Sequence, residues 1–211
     1  MVLTGAGIST ESGLPDYRGV WQLKDKSKLY KSLSVNWKKV EPNAGHLALV
    51  KLQELKILKF LISQNIDNLH LKSGIHKDII AELHGNMTLV RCPKCGKKIE
   101  QTWDRPSRCE CGGLFESSIV KFGDKLPKDE LDTSFEHAEL ADVFMVVGSS
   151  LVTKPAGNIP RLAKMKGAKL IIINRGVTTL ENFADLRFNE DCSETLSALV
   201  KKIIEIKNEQ H

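Results

Sequence analysis

Along this chain, short apolar runs alternate with stretches in which apolar residues recur every three or four positions. Each run stops at a glycine- or amide-rich cluster. Residues 1–4 end at Gly5-Ala6-Gly7, 57–63 at Gln64-Asn65-Ile66-Asp67, and 79–83 at His84-Gly85-Asn86. Val143–Val147 ends at Gly148-Ser149-Ser150, and Lys169–Ile173 at Asn174. These runs read as strands, and 118–122 reads as one more. Between them the pattern predicts helices. One covers 44–55 behind Asn43 as N-cap, with Leu47, Val50 and Leu55 along one face. Others cover 128–141, 156–166 (closed by Gly167 at C′) and 193–206. Apolar strands alternating with helices argue for an α/β chain with a parallel sheet covered on both faces. The polar clusters then gather at one sheet edge, where doubly wound sheets bind ligands.

The segment 87–117 breaks this rhythm. It is rich in turns and carries four of the five cysteines, as C-x2-C-x13-C-x-C at Cys92, Cys95, Cys109 and Cys111. We expect an inserted module there, with 1–86 and 118–211 forming the main domain. The stretch 22–41, lysine-rich with Tyr30 and Trp37 after Trp21, reads as a small irregular element. The turn Cys92-Pro93-Lys94-Cys95-Gly96 brings two thiolates to one metal. Four thiolates around Zn²⁺ leave no open position, so the site is structural. The pair Cys109-Glu110-Cys111 is one residue tighter than a usual knuckle. Cys192 stands alone and reads as a small packed side chain.

At 41% apolar and 27% charged residues, the 211-residue chain can bury a sizeable core. No apolar run approaches the length of a membrane span. The opening Met1-Val2-Leu3-Thr4 lacks a basic leader segment, which places the protein in the cytosol, where metal is a better reading of paired cysteines than disulfides. The net charge of +5 comes with scattered lysines. A solvated surface accounts for most of it, and a weak attraction to nucleic acid or acidic partners for the rest.

Candidate chemistry lies in three loops. Gly5-Ala6-Gly7-Ile8-Ser9-Thr10 follows a strand, and its backbone can approach a phosphate closely, although a tight turn looks the same and the dinucleotide G-x-G-x-x-G pattern is absent. Gln64-Asn65-Ile66-Asp67 sets two carboxamides and a carboxylate where only Ile66 would be comfortable buried. Such groups suit recognition of a carboxamide such as nicotinamide, or a capped turn. His84, at the same edge, is the best general-base candidate. His46, His70, His76, His137 and His211 lack that context.

Taken together, GAGISTESGLPDYRG (5–19), SQNIDNLH (63–70), ELHGN (82–86), the cysteine module, FGDKLP (122–127), GSSL (148–151) and IIIN (171–174) resemble one family, the sirtuins, in family order and over nearly the whole chain. The short Arg18–Trp21 link, SGIHKDIIAELHGNM and PAGNIP look most like the class IV branch. The resemblance implies a Rossmann-type domain plus a small zinc-ribbon domain, NAD as co-substrate, one structural Zn²⁺ and an acyl-lysine protein or peptide as partner. It implies that Gly5, Ala6, Gly7 and Thr10 line the phosphates, that Asp16, Tyr17 and Arg18 belong to the cofactor loop, and that Trp21 lies beside it. Gln64, Asn65 and Asp67 would form the nicotinamide and ribose pocket. Gly148, Ser149, Ser150, Asn174 and Gly176 would contact the adenosine half, with Cys192 near the adenine. His84 would be the catalytic base, acting with Asn65 and Asp67. Val120, Phe122 and Gly123 would pair with the peptide as an added strand.

The implied reaction is attack of the acyl oxygen on the ribose C1′ as nicotinamide leaves, with His84 then taking a ribose hydroxyl proton. The products would be free lysine, nicotinamide and O-acyl-ADP-ribose. Tyr17 and Asp124 stand where the family usually has phenylalanine and glutamate, and 19–41 is shorter than in other branches. The alternatives are mono-ADP-ribosyl transfer or NAD hydrolysis at the same site, or a non-catalytic NAD- or nucleic-acid-binding module. A mere binder needs no base, so His84 beside Asn65 and Asp67 argues against the last.

Overall fold

Six short strands lie side by side, all parallel: β1 (Val2–Thr4), β2 (Leu61–Ser63), β3 (Ile80–Glu82), β7 (Val143–Val147), β8 (Lys169–Ile173) and β9 (Leu186–Phe188), in the order β3-β2-β1-β7-β8-β9. The computed structural model describes residues 1–16 and 35–209. From β1 the chain winds outward through β2 and β3, then returns to β7 and winds the other way. The β1/β7 boundary is therefore the topological switch point, with a ligand crevice beyond the carboxyl ends of these strands.

Alternation along each strand divides the core. Leu3, Ile62, Phe144, Val146, Leu170 and Ile172 face a layer formed by α3 (Lys128–Glu139) and α4 (Asn158–Met165), meeting Ala138, Ile159 and Ala163. Val2, Leu61, Met145, Val147 and Ile173 face α1 (Ala44–Glu54) and α5 (Cys192–Glu209), meeting Leu49, Leu52, Leu196 and Val200. Each fully buried Leu, Ile or Phe contributes about 1.5–3 kcal/mol, so covering both faces stabilises strands of only three residues. A one-turn helix, α2 (Leu69–Ser73), follows the loop after β2.

The inward face of α1 consists of Gly45, His46, Ala48, Leu49 and Leu52, whereas Leu47 is exposed and Leu55 half-buried. This corrects the expected stripe. Val50 lies at the edge of the buried face and packs against the core as expected, and Gly45 lets α5 approach, a Cβ there meeting Ser193 Oγ at 3.0 Å. The Asn43 cap is present, its Oδ1 accepting from Gly45 N at 2.9 Å and His46 N at 3.3 Å. Gly167 ends the α4 segment with φ +103°.

The expected strand at 118–122 is not formed. The chain is extended only at β6 (Glu116–Ser117), which joins β4 (Leu89–Arg91) and β5 (Lys98–Glu100) in an antiparallel sheet ordered β5-β4-β6. Beyond it, Val120 N donates to His84 O at 3.0 Å, and the chain then turns at 122–123. The small sheet, β9 and α2 were not foreseen, being too short for periodicity to register. The small sheet buries little more than Val90, Cys92, Cys109 and Phe115, too few apolar residues to be stable without a further crosslink. No described helix is long and apolar enough to cross a membrane.

Candidate active site and metal centre

At the switch point two glycine turns cross in contact. Gly5 N donates to Val147 O at 3.0 Å and Gly7 N to Gly148 O at 2.8 Å. Gly148 has φ +63°, and a Cβ there would lie 2.6 Å from the Gly7 carbonyl carbon and 2.8 Å from its Cα. A Cβ on Gly5 or Gly7 would meet Gly148 O at 2.8 Å. Bare backbone is thus required on both sides. Ala6–Ser12 continues as a 3-10 helix in which Thr10 Oγ1 donates to Gly7 O at 2.9 Å. Ser149 Oγ, in the facing loop, donates to Gln64 Oε1 at 2.5 Å, and Ser150 O accepts from Thr179 N at 3.2 Å.

In the loop after β2, Asn65 and Asp67 are the buried residues and Ile66 is only half-buried, the reverse of the expectation from hydrophobicity. Their polar atoms are satisfied, which makes burial tolerable. Asn65 Nδ2 donates to Gly5 O and to Ser9 Oγ, each at 3.2 Å. Ser9 Oγ donates to Asp67 Oδ2 at 2.6 Å, and Leu69 N to Asp67 Oδ1 at 2.9 Å. Burial pushes the Asp67 carboxyl above the usual aspartate range, and the Ser9 hydrogen bond opposes this. Ser9 therefore joins the glycine turn to the amide loop. Nothing in the sequence alone singles Ser9 out from its neighbours in the glycine turn.

Two histidines set aside for want of context lie behind this network. His46 Nε2 is 3.5 Å from Ser9 Oγ, and His70 Nε2 pairs with Thr4 Oγ1 at 2.8 Å. Their rings are 5.1 Å apart. Burial lowers the His46 pKa to about 4, and burial together with His46 takes His70 well below the ordinary value, so both are neutral at physiological pH. The available signal was Asn43 with a polar residue three positions on, at the buried face of a helix.

His84 follows β3. Its Nδ1 lies 2.7 Å from Gln64 O, and a carbonyl oxygen only accepts, so Nδ1 carries the proton and Nε2 presents a lone pair. Burial lowers its pKa, with the Gln64 carbonyl acting in the opposite sense. Phe122 and Gly123 are exposed beside the half-buried Val120, whose N–H ties this segment to the His84 carbonyl.

At the far strands, Asn174 Nδ2 donates to Arg175 O at 2.9 Å and to Gly176 O at 3.2 Å, shaping the turn after β8. Cys192 opens α5. Its thiol is buried, 3.8 Å from Ile173 O, and burial pushes its pKa up to about 12, which fits a packed side chain rather than a nucleophile. Asp16 ends the described part of the first loop. Tyr17, Arg18 and Trp21 lie outside the described residues, as does most of 22–41.

The sulfurs of Cys92, Cys95, Cys109 and Cys111 all lie within 4.8 Å of one another, with the Cys92–Cys111 and Cys95–Cys109 pairs at 3.5 Å. Tetrahedral Zn²⁺ with Zn–S bonds of about 2.3 Å needs sulfurs slightly under 4 Å apart, so the cluster fits the ion. The tight second pair is accommodated because Gly113 lays bare backbone against the cluster, where a Cβ would lie 2.5 Å from Cys92 Sγ.

The family model described as Sir2 family matches residues 22–155. The chain belongs to this family. An NAD-dependent protein deacetylase of Oceanobacillus iheyensis is 36% identical over 212 residues, covering 90% of this chain and 89% of that protein. An NAD-dependent protein deacylase of Aquifex aeolicus is 37% identical, covering 100% and 96%. A solved Sir2 complex with 2′-O-acetyl-ADP-ribose and a deacetylated peptide superposes with TM-score 0.73 at 34% identity, covering 95% of this sirtuin and 92% of that chain. The fold expected from the resemblance is borne out. The parallel sheet follows Rossmann order, and the added element is a small sheet carrying a four-cysteine cluster.

Proposed function

We propose that this sirtuin is an NAD-dependent protein-lysine deacylase that moves the acyl group of an acyl-lysine onto ADP-ribose and releases nicotinamide. The observation that carries this reading is His84: its Nδ1 proton is committed to Gln64 O, its Nε2 is a base, and it shares a sheet edge with the Ser9–Asn65–Asp67 network. Bound NAD supplies an ADP-ribosyl group with nicotinamide as leaving group. The glycine crossing of Gly5, Gly7 and Gly148, with Ala6, Thr10, Ser149 and Ser150, holds the phosphates and adenosine side. Asn174, Gly176 and Cys192 shape the adenine end. Gln64, Asn65 and Asp67 orient the nicotinamide and ribose. His84 Nε2 would take the proton from a ribose hydroxyl of the bound dinucleotide, and the imidazole, its pKa lowered by burial, is neutral and ready at physiological pH. Val120–Gly123 receives the peptide through backbone hydrogen bonds.

Cys92, Cys95, Cys109 and Cys111 hold one structural Zn²⁺. The four-thiolate set supports a reducing compartment such as the cytoplasm. The short Arg18–Trp21 link and residues 73–87 support placement near the class IV branch. The +5 charge supports at most weak, salt-sensitive association with nucleic acid.

Mass spectrometry of products from NAD with acetyl-, succinyl- and myristoyl-lysine peptides tests the proposal. O-acyl-ADP-ribose is expected, with loss of turnover but retained NAD binding in His84→Ala. ADP-ribosylated protein or free ADP-ribose as sole product would assign the alternative activities instead, and unchanged turnover in His84→Ala would overturn the role of the base.

A further inference from the structure

A chain of charges joins the small sheet to the His84 loop, and none of the steps above uses it. Glu82, the last residue of β3, is only 5% exposed. Its Oε1 accepts from Asn86 Nδ2 at 2.6 Å, and its Oε2 lies 3.4 Å from Lys98 Nζ on β5. Lys98 also sits 2.6 Å from Glu130 Oε1 on α3, and Arg91 NH1 on β4 reaches the same oxygen at 3.2 Å. The two carboxylates therefore differ. Without Lys98, Glu130 keeps Arg91, whereas Glu82 has no other ion-pair partner among the described residues. Asn86 in turn bonds Asn68 Oδ1 at 2.8 Å and holds Thr88 through its own oxygen. His84 sits midway between Glu82 and Asn86, so the two ends of its turn are tied together by the Glu82–Asn86 hydrogen bond.

We propose that Lys98 is a positioning residue: by neutralising the buried Glu82 carboxylate it lets Glu82 hold Asn86, and so fixes the turn that aims His84. A buried carboxylate stripped of its cation is strongly disfavoured. A carboxylate that stays ionised is relieved by swinging toward water, which breaks the Asn86 bond and loosens residues 82–86, whereas one that takes up a proton keeps that bond. The zinc-bearing sheet thereby acts on the base through one side chain. The inference rests on His84 being that base.

The test is a charge cycle. Lys98→Met is expected to lower kcat by at least about tenfold with the NAD KM changed less than about twofold and one zinc per chain retained. Lys98→Arg restores the cation and most of the rate. Adding Glu82→Gln to Lys98→Met recovers most of the loss, because the neutral amide still offers an oxygen to Asn86. Wild-type kcat in Lys98→Met, or a double variant no better than the single, overturns the proposal. If Lys98→Met fails to fold, a folded and active double variant supports it, and failure of both overturns it. The His84 Cε1–H resonance, which should move in Lys98→Met and return in the double variant, reads the turn without turnover. A wild-type enzyme with no deacylation would overturn the functional reading separately, leaving this resonance to decide the pairing.

Discussion

Replacing Ser9 with alanine removes one oxygen from the centre of the site and little else. Ser9 is 2% exposed, donates to Asp67 Oδ2 at 2.6 Å and accepts from Asn65 Nδ2 at 3.2 Å. In Ser9→Ala, Asn65 keeps Gly5 O and Asp67 keeps backbone N–H groups alone, those of Leu69 and Asp67 itself. A hydrogen bond to a charged group contributes about 1.5–3 kcal/mol and one between neutral groups about 0.5–1.5 kcal/mol. The loss of stability should therefore be about 2 kcal/mol with Asp67 ionised and about 1 kcal/mol with it protonated. The sign with pH follows from linkage. Burial already raises the folded pKa of Asp67 above its ordinary 3.8, and losing the Ser9 bond raises it further. The protonated form is then favoured more strongly in the variant fold, so the deficit is smallest in acid and grows as pH rises from the wild type's raised value through the variant's still higher one. Urea unfolding of both proteins in a series from about pH 4 to pH 8 measures it, alongside kcat/KM for NAD, which should fall roughly tenfold to a hundredfold. A deficit that is flat with pH, or kcat/KM within about twofold of wild type, would refute the claim that Ser9 holds Asp67 as an ion.

Three further outcomes are expected. Gly148→Ala places a Cβ 2.6 Å from the Gly7 carbonyl carbon at φ +63°, so NAD binding measured by calorimetry should be lost and the melting temperature lowered; binding equal to wild type would show that the crossing can open. Because burial lowers the His84 pKa, the acid limb of kcat/KM should fall below the ordinary histidine value of 6.5, and a limb at or above it would count against a buried base. His46, lowered from 6.5 to about 4, contributes stability that is present above 6.5 and lost as pH falls through that window, about 3 kcal/mol in all. His46→Gln should flatten this acid slope in urea unfolding, and an unchanged slope would contradict it.

How much of this was legible in the sequence depends on the length over which a signal extends. The five-residue strands β7 and β8, the Asn43 cap and the spacing of the four cysteines are local patterns, and their positions follow from periodicity and ligand geometry. The ends of successive strands also fixed which loops face one edge, because a parallel sheet puts every carboxyl end on the same side. Strand β9 and the small sheet were too short to stand out from turns, and 118–122 lacks the ladder its apolar character promised.

Local chemistry therefore determined the motifs, the thiolate set and the family resemblance. Tertiary structure decided which polar groups are paid for by partners. Asn65 and Asp67 are buried because Ser9 and Gly5, between 56 and 60 positions away in sequence, supply their hydrogen bonds together with the nearby Leu69. His46 and His70 belong to the site because α1 and α2 pack beside β1, and Glu82 is tolerated because a lysine from another sheet reaches it. Hydrophobicity is a property of one residue and can be read along the chain. Satisfaction of a buried polar atom is a property of a pair, and it exists only once the fold has brought both members together.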